Sequence, residues 1–575
     1  MPDTIRGKFP NEPTFKHLLA IASKVRHTII HDAENGVDAT FQHLLADVLQ
    51  TQQTLRKSLP GAVFDSTTNL VQESRPFILI LSPGNYEFVV AGLAILSIGA
   101  AFAALATGLL QEETLHILKT SQVSCILADE PHLLLAQRCE RYAADNGLDL
   151  TVLPISNSAM RHDKGRDIQF EIDKTLVVTP ERPALLLYTS GTSGRPKGVV
   201  HNRRLFYDMH GHTRPSDVFM SQTTIIWASG LVPLFASVLG GARTEITPQR
   251  PDVMWERLKQ GGITTLGCSP RVWSDMRQFY DNYISHRPPE ERDAYVSGLR
   301  SLKSALTCGS MPDPTLLLFW HSLGKRLRVC YGITELGAVV MRTTDDTDIN
   351  LECAIGRPVL GVTVKLSDGD FGELLVKKAV MFTRYIGGED DASGSFTDDG
   401  FYKTGDLVHR HGDDYVLEGR ASTDFIRCRG LKVPMLQVEM HLLRLPYVYE
   451  GCILPVFDTR NGQRVAALVR LHSLNGKDEA DSSGTHILEI PYLKNLRDHL
   501  GETLPTYMLP TALRILQTGE VIPRTPSLKV IRAEAVSQYF PLSKSFEYPS
   551  DVELFNFAYP RDESLRKAWD SAGMV

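Results

Sequence analysis

Short apolar runs separated by helical segments fill the first half of the chain. Phe77–Leu81 is apolar at every position and ends in Ser-Pro-Gly, as expected of a buried strand. A helical segment at residues 112–119 leads to a second apolar run, Cys125–Ala128, and residues 184–188 form a third. This order of strands and helices predicts a parallel sheet with crossover helices.

Two further stretches of the N-terminal region predict helices. Residues 39–49 have apolar positions at helical spacing, with Thr40 as the N-cap. Residues 88–110 carry no charge and are long enough to span a membrane. Because they contain several glycines, a helix at Tyr86–Ser97, a turn at Gly99 and a buried strand fit them better. We therefore expect no membrane span.

The bulk composition limits the class of protein. A chain of 575 residues is too long for one core, so two or more domains are expected. The net charge of -6, without a basic block, argues against a nucleic-acid partner. Eight cysteines with no metal-ligand spacing are typical of a reduced intracellular protein. The chain starts without a signal peptide and does not end in a peroxisomal signal, which favours a cytoplasmic location.

Hydroxyl groups, glycines and one lysine are concentrated directly behind the apolar run at residues 184–188. Glycines let backbone N–H groups face a ligand, and such groups, edged by hydroxyls and a cation, suit a polyphosphate. The pattern is not a Walker A loop, because Pro196 and Gly198 flank the lysine. A flexible linker is the plain alternative, but linkers do not normally follow a buried strand directly. The candidate phosphate-binding residues are Thr189, Ser190, Gly191, Thr192, Ser193, Gly194 and Lys197.

A second group of polar residues follows the strand predicted at residues 326–331. Ligands bind at the carboxyl ends of parallel strands, and Tyr331, Gly332, Thr334 and Glu335 lie at such an end. The ring of Tyr331 can stack on adenine, and the Thr334 hydroxyl can reach the α-phosphate. Glu335 can hold the Mg²⁺ that accompanies ATP. A helix N-cap at Thr334 is the plain structural alternative.

These motifs resemble those of the adenylate-forming (AMP-binding) superfamily, which includes acyl-CoA synthetases, luciferase-like enzymes and the adenylation domains of peptide synthetases. The resemblance covers about residues 40–535 and is closest to acyl-CoA synthetases. It implies an α/β and α+β multidomain fold. The large N-terminal adenylation domain has two αβ-layered subdomains plus a small barrel, and the small mobile C-terminal domain is α+β. The implied divisions are residues 1–418, a hinge at 419–430, a C-terminal domain at 431–540 and a tail at 541–575.

The resemblance also implies roles for residues outside the phosphate loop. Asp406, in a Thr-Gly-Asp motif, accepts hydrogen bonds from the ribose hydroxyls, and Arg420 makes a second nucleotide contact. Lys529 bridges the acyl carboxylate and the α-phosphate during adenylation. The implied catalytic set is Lys529, Glu335, Thr192 and Lys197, the acyl pocket is Trp227, Gly230, Gly309 and Ser310, and the thiol tunnel contains Gly430 and Lys432.

The sequence departs from the family pattern at three places. Cys308 replaces the first of two glycines at the pocket floor, and Leu528 stands where a glycine is usual before the lysine. The hinge motif is one residue longer than usual, with Ser422 and Thr423 near the family's hinge acid or lysine. These changes concern the shape of the pocket floor, the rate of adenylation and the residue about which the domain turns.

The implied reaction converts a carboxylic acid and ATP to acyl-AMP and pyrophosphate, and a thiol then takes the acyl group. An α-amino acid is a poor substrate candidate. No acidic residue lies between Thr224 and Leu231 to pair the ammonium group, and a buried unpaired charge costs several kcal/mol. We therefore expect a fatty or aryl acid, with ATP, Mg²⁺ and CoA as cofactors. Three alternatives stay open: transfer to the phosphopantetheine of a separate carrier protein, a luciferase-like oxidation of the adenylate, and a nucleotide-binding protein without catalysis.

Overall fold

The computed structural model describes the chain in thirteen stretches, which together contain both halves of the predicted fold. The described residues are 5–108, 111–157, 168–189, 197–207, 209–222, 224–386, 392–420, 424–428, 431–458, 462–472, 492–525, 529–543 and 547–555. The statements below refer to these residues.

The strands of the described residues are spread along the whole chain. They are β1 (Ile5–Asn11), β2 (Ile30–Asp32), β3 (Val37–Ala39), β4 (Phe77–Leu81), β5 (Ala101–Ala104), β6 (Cys125–Ala128), β7 (Thr151–Pro154), β8 (Ile168–Val177), β9 (Pro183–Thr189), β10 (Lys197–Asn202), β11 (Val218–Ser221), β12 (Arg243–Ile246), β13 (Thr265–Cys268), β14 (Ser304–Cys308), β15 (Arg328–Tyr331), β16 (Met341–Arg342), β17 (Ala354–Pro358), β18 (Val362–Asp368), β19 (Phe371–Lys378), β20 (Arg384–Ile386), β21 (Tyr402–His411), β22 (Asp414–Arg420), β23 (Phe425–Cys428), β24 (Leu431–Pro434), β25 (Val448–Asp458), β26 (Gly462–Leu471), β27 (Ala512–Ile515) and β28 (Val552–Leu554).

The α-helices alternate with strands in the N-terminal half, as the sequence predicts. They are α1 (Pro13–Ala22), α2 (Phe41–Ser58), α3 (Tyr86–Ser97), α4 (Gln111–Ser121), α5 (Leu133–Asp145), α6 (Arg204–Tyr207), α7 (Ala228–Leu239), α8 (Pro251–Lys259), α9 (Pro270–Phe279), α10 (Pro289–Arg300), α11 (Pro314–Ser322), α12 (Met435–Leu443), α13 (Leu493–Leu500) and α14 (Arg532–Tyr539).

Two large sheets form the N-terminal part of the molecule. The seven-stranded sheet has the order β20-β10-β9-β5-β4-β6-β7, in which β9, β5, β4, β6 and β7 are parallel. The thirteen-stranded sheet has the order β18-β19-β21-β22-β17-β16-β15-β14-β13-β11-β12-β2-β3. Its strands from β15 to β2 are parallel, and those from β18 to β16 pair antiparallel, where the sequence predicts the small barrel.

Helices α3 and α7 join the cores of the two sheets. Every residue of α3 is buried, because it lies between its own sheet and the helices of the other. Its Phe88 meets Phe235 of α7 edge-to-face, with ring centroids 6.2 Å apart, and Phe102 of β5 lies 5.5 Å from the same ring. Aromatic pairs of this geometry add to the free energy of apolar burial. Residues of both sheets therefore belong to one apolar cluster between them.

The described part of the uncharged stretch, residues 88–108, folds as predicted. Helix α3 begins and ends at the predicted residues, with the Asn85 side chain accepting a hydrogen bond from the Phe88 N–H as N-cap. Gly99 makes the turn, with a φ of 77°, and β5 follows. Within the described part of the chain, no helix combines the length and the apolar character needed to cross a membrane.

A separate six-stranded sheet forms the C-terminal part of the molecule. Its order is β24-β23-β26-β27-β28, with β25 paired to β26. Helices α12 and α14 pack against β25, and α13 contributes three leucines to the same core. The alternation of strands and helices agrees with the predicted α+β character.

The predicted tail needs a correction at residues 547–555. Strand β28 pairs antiparallel with β27, and Val552 is buried in the core of the C-terminal sheet. Asp551 forms an ion pair with Arg514 at 2.8 Å, and Glu553 accepts a hydrogen bond from the Leu493 N–H at 2.7 Å. This segment is therefore part of the C-terminal fold and not a tail.

Candidate active site

The candidate phosphate loop connects two paired strands at the edge of the seven-stranded sheet. Strands β9 and β10 are antiparallel, and Thr189 pairs with Lys197, so the two ends of the loop are held together. A Cβ at Gly198 would lie 2.6 Å from the Leu186 side chain and 2.7 Å from that of Ile386, so a larger residue there would require these side chains to shift. The predicted phosphate-binding residues Ser190, Gly191, Thr192, Ser193 and Gly194 lie outside the described residues.

Asp406 is the centre of a buried hydrogen-bonded group. Its Oδ2 accepts a hydrogen bond from the Tyr331 hydroxyl at 2.5 Å, and its Oδ1 accepts one from Arg420 Nε at 3.0 Å. Asp406 and Arg420 are directly paired residues of β21 and β22, while Tyr331 ends β15. Burial, and then the negative charge of Asp406, raises the pKa of Tyr331 well above its usual value. The phenol therefore stays protonated and donates to the carboxylate.

Glu335 lies in a short 3₁₀ helix directly after β15, and Tyr385 links it to Lys197. The Tyr385 hydroxyl donates to Glu335 Oε1 at 3.0 Å, and Lys197 Nζ lies over the Tyr385 ring, 4.3 Å from its centroid. The Tyr385 and Tyr402 hydroxyls are 3.2 Å apart. The structure thus places the lysine of the phosphate loop and the predicted metal-binding carboxylate on either side of one tyrosine.

The backbone that carries Thr334 and Glu335 is fixed by donors from neighbouring elements. His201 of β10 shares a hydrogen bond with the Thr334 carbonyl oxygen at 2.8 Å, through Nε2. The Phe382 N–H donates to the Glu335 carbonyl oxygen at 2.9 Å. Lys378 Nζ donates to the Leu336 carbonyl oxygen at 3.0 Å. Three successive carbonyl groups are therefore held in place. The N-cap of the 3₁₀ helix is Ile333 and not Thr334, the plain structural alternative considered from the sequence.

Two further features of this loop come from His201 and Gly332. Burial lowers the pKa of His201 to about 4, so the ring is neutral at physiological pH and donates through Nε2. Its buried Nδ1 has no hydrogen-bond partner. Gly332 allows the chain to turn back on itself, because a Cβ there would lie 2.6 Å from the Ala338 carbonyl oxygen.

Lys529 belongs to the C-terminal sheet region but lies among charged residues of the N-terminal part. Thr525 and Lys529 hold the two ends of its loop together, through hydrogen bonds of 2.8 Å and 3.2 Å. Desolvation lowers the pKa of Lys529, with a further contribution from the positive charge of Arg420. Asp406, Asp424 and Glu335 act in the opposite direction. The ammonium group is thus within electrostatic range of both predicted nucleotide-binding carboxylates, although the residue keeps solvent-exposed surface.

The predicted acyl-pocket residues lie at element ends in the thirteen-stranded sheet. Trp227 is the half-buried N-cap residue of α7, and Gly230 is buried in the first turn of that helix. Gly309 directly follows β14 with a φ of 95°, and a Cβ there would meet no atom within 4 Å. Ser310 is exposed beside it. The open turn at Gly309 leaves space at the carboxyl end of β14.

The predicted thiol-tunnel residues are less completely described. Gly430 lies outside the described residues, as do residues 421–423 of the hinge. Lys432 is in β24, where it pairs with Arg427 of β23.

A Mg²⁺ ion fits the donor set at Glu335. Among the described residues, Glu335 takes part in no ion pair, and no group of three or more His, Cys, Asp or Glu side chains could hold a metal by itself. Mg²⁺ is usually bound through one or two carboxylates plus substrate phosphates and not by a cage of protein ligands. One half-buried carboxylate, linked through Tyr385 to Lys197, agrees with that kind of site.

Sequence reasoning missed two residues of this site, His201 and Tyr385. Each acts through a neighbour in space and not through a motif. The sequence contains only weak indications that these residues belong to the site. His201 lies four positions after Lys197, in the same apolar strand, and Tyr385 is one of several aromatic residues before the Thr-Gly-Asp motif.

Fold and site together define an adenylate-forming enzyme, and comparison with known proteins agrees. The family model described as "AMP-binding enzyme" matches residues 67–386. The chain is 34% identical over 542 residues to the acyl-CoA ligase oryP of Aspergillus oryzae (strain ATCC 42149 / RIB 40), covering 92% of this chain and 93% of that protein. It is 28% identical over 510 residues to a malonate–CoA ligase of Arabidopsis thaliana, covering 82% and 81% of the two chains.

A solved structure has the same fold. ATP-bound MatB from Rhodopseudomonas palustris superposes with a TM-score of 0.72 at 18% identity, covering 93% of this chain and 99% of that one. The chain therefore belongs to the AMP-binding enzyme family, and it is an acyl-CoA synthetase-like member.

Proposed function

We propose that this chain is an acid–thiol ligase that uses ATP to convert a non-amino carboxylic acid to acyl-AMP and then to acyl-CoA. Family membership and the named CoA ligases among its relatives support the reaction class. The observation that carries the proposal is the position of Lys529. A lysine from the C-terminal region lies within electrostatic range of Glu335 and Asp406, which belong to the N-terminal region.

The nucleotide is bound by residues from both large sheets. Asp406 accepts hydrogen bonds from the ribose hydroxyls with the lone pairs that Tyr331 and Arg420 leave free. Because those two residues also hold the carboxylate in one orientation, little ordering is needed when the nucleotide binds. The loop between β9 and β10 receives the phosphates, with Lys197 at its end as the cation. Gly332 and Thr334 line the path between the two groups.

Glu335 is the residue that holds Mg²⁺ together with the ATP phosphates. When bound, the ion neutralises phosphate charge and lowers the barrier to attack at the α-phosphorus. The chain keeps the carboxylate in place through the Tyr385 hydroxyl and the fixed backbone of residues 334–336.

In the first half-reaction, the acid's carboxylate oxygen attacks the α-phosphorus and the bond to pyrophosphate breaks. Lys529 contacts the carboxylate and the α-phosphate and stabilises the negative charge that develops between them. Desolvation lowers the pKa of this lysine, and the negative charges of Asp406, Asp424 and Glu335 oppose that effect. Positioning and charge stabilisation supply the rate enhancement, as in other phosphoryl-group chemistry.

In the second half-reaction, the CoA thiol attacks the acyl carbon and AMP leaves. The C-terminal region turns about residues 419–430, which removes Lys529 from the site and brings Gly430 and Lys432 to the thiol tunnel. The acyl group lies against Trp227, Gly230, Gly309 and Ser310. A fatty or aryl acid suits this mostly apolar set. The malonate ligase among the relatives makes dicarboxylic acids a class to test as well.

The test is pyrophosphate release with ATP and Mg²⁺ over a panel of fatty, aryl, dicarboxylic and amino acids, each with and without CoA. We expect release to rise with CoA for one non-amino class, with an acyl-CoA product detected by mass spectrometry. Release that CoA does not change would indicate a carrier protein as the acceptor. No release with any acid would contradict the proposed function.

A further inference from the structure

Tyr385 touches both charged residues of the candidate phosphate site. Its ring lies under Lys197 Nζ at 4.3 Å, and its hydroxyl donates to Glu335 Oε1 at 3.0 Å. A cation over an aromatic face is attracted by the ring quadrupole, while the hydroxyl satisfies one carboxylate oxygen. One side chain thus contacts the cation and the carboxylate through two chemically different parts.

The two charged residues come from different sheets. Lys197 begins β10 of the seven-stranded sheet, and Tyr385 is on β20, which pairs with β10 in the register Val199–Tyr385. Glu335 follows β15 of the thirteen-stranded sheet. Tyr385 therefore spans the boundary between the sheets at the point where the phosphate site needs both.

Aromatic packing fixes the ring without help from its hydroxyl. Phe382 lies 4.7 Å from the Tyr385 ring and 5.5 Å from the Tyr402 ring, both measured between centroids. Phe382 and Phe396 stack at 5.7 Å. A phenylalanine at position 385 would keep this packing and lose only the hydroxyl contacts.

We propose that Tyr385 is a positioning residue that ties Lys197 to Glu335 and so fixes the spacing between the phosphate-binding cation and the Mg²⁺-binding carboxylate. This inference rests on the proposed function. The ring holds Lys197, and the hydroxyl aims the Glu335 carboxylate at the metal. Two variants distinguish these contributions: Tyr385→Phe removes only the hydroxyl, and Tyr385→Leu removes the aromatic ring as well.

The experiment measures binding of α,β-methylene-ATP to the full chain by titration calorimetry at a series of Mg²⁺ concentrations. For Tyr385→Phe, the Mg²⁺ concentration that gives half of the maximal increase in analogue affinity should rise about tenfold. A change of this size corresponds to the loss of one hydrogen bond to a charged group. Its affinity at saturating Mg²⁺ should stay near that of the unmodified chain. For Tyr385→Leu, affinity should also fall at every Mg²⁺ concentration, because Lys197 loses the ring.

Tyr402→Phe is the matched control. It removes the neighbouring hydroxyl, which contacts Tyr385 at 3.2 Å, and leaves the Tyr385–Glu335 hydrogen bond in place. Its Mg²⁺ requirement should change by less than about twofold, and its melting temperature should be close to that of Tyr385→Phe. Equal shifts in the two phenylalanine variants would overturn the proposal in favour of general packing.

The outcome also separates this inference from the proposed function. Acyl-AMP formation by the unmodified chain, with an unchanged Mg²⁺ requirement in Tyr385→Phe, would overturn the role of Tyr385 alone. Analogue binding without adenylation of any acid would overturn the function, and the Mg²⁺ titration would still decide the role of Tyr385. An unmodified chain that does not bind the analogue at any Mg²⁺ concentration would overturn both.

Discussion

Lys529 is the residue whose position relates most directly to the reaction. The charges of Asp406, Arg420 and Glu335 act on its ammonium group, although more than a hundred residues separate it from the nearest of them in sequence. A positioned ammonium group can stabilise the negative charge that develops in the transition state of the proposed adenylation step.

Replacing Lys529 with alanine should slow acyl-AMP formation far more than thioester formation from supplied acyl-AMP. The loss in the first half-reaction should be about a hundredfold or more, the scale found when one group that stabilises a developing charge is removed. Pyrophosphate release measures the first step, and acyl-CoA formed from synthetic acyl-AMP measures the second. Lys529→Arg, which keeps the charge, should recover part of the first rate. Equal losses in both steps would contradict the assignment.

The residues that could be predicted at this scale are those within local motifs. Asp406 was predicted because its Thr-Gly-Asp motif resembles that of the family, and Glu335 because Tyr-Gly-x-Thr-Glu follows a strand; both lie in the candidate site. Tyr385 could not be found in this way. Its two contacts exist only because β20 pairs with β10 and lies against the loop after β15, and neither pairing leaves a local pattern in the sequence.

Among the strands and helices, β10 both follows the phosphate loop and contacts the loop after β15. Its His201 reaches the loop after β15 and holds the Thr334 carbonyl group. The neutral ring suits a buried position, because a buried charge without a partner is costly. Protonation therefore opposes the folded state.

Acidification should destabilise the chain through His201. Its pKa is lowered to about 4 in the folded state, against about 6.5 when unfolded, so the unfolded state takes up the proton first as pH falls. Stability should thus be unaffected above pH 6.5 and fall below it, by about 2 kcal/mol at pH 5. His201→Gln, which keeps a donor near Nε2, should lose less in melting temperature between pH 8 and pH 5. Equal losses in the two proteins would contradict this prediction.

Strand β28 is an element that local sequence patterns did not predict. Residues 547–555 were predicted to belong to a tail because the sequence beyond about residue 541 is punctuated by proline and aromatic. The strand that they contain is only three residues long. Their place depends on β27, which offers an unpaired edge, and on partners such as Arg514 and Leu493. By contrast, α3 was predicted to the residue, since its N-cap and the following glycine are local signals.

Deleting residues 547–575 should therefore destabilise the C-terminal part of the molecule. The deletion exposes the edge of β27 and removes buried Val552, and unpaired sheet edges promote aggregation. We expect a lower melting temperature and more aggregation on heating, followed by light scattering. Deleting residues 556–575 keeps β28 and should cost less. An equal loss in the two deletions would show that β28 does not matter for stability.

At the scale of the whole molecule, a small set of contacts accompanies the arrangement that brings Lys529 to the nucleotide site. Arg444, just beyond α12, and His441 within it lie against Glu352, which precedes β17. The Tyr449 hydroxyl donates to Gln278 Oε1 of α9 at 3.1 Å. These contacts join the C-terminal sheet to the N-terminal part, and a rotation about residues 419–430 would have to break them. We therefore expect them to favour the proposed first half-reaction over the second.

Reversing the charge at Glu352 should shift the balance between the half-reactions. In Glu352→Arg, repulsion from Arg444 disfavours the present arrangement. Acyl-AMP formation should therefore fall several-fold. Thioester formation from supplied acyl-AMP should be unchanged or faster, because the lost contact stabilises only the present arrangement. The exposed part of the ion pair limits the effect to about 1 kcal/mol.

The double variant Glu352→Arg/Arg444→Glu restores opposite charges and should recover the first rate. Burial lowers the pKa of His441, so assays at pH 7.5 leave it neutral and report on the Glu352–Arg444 pair. Parallel changes in both half-reactions, or no recovery in the double variant, would show that this pair does not control the arrangement.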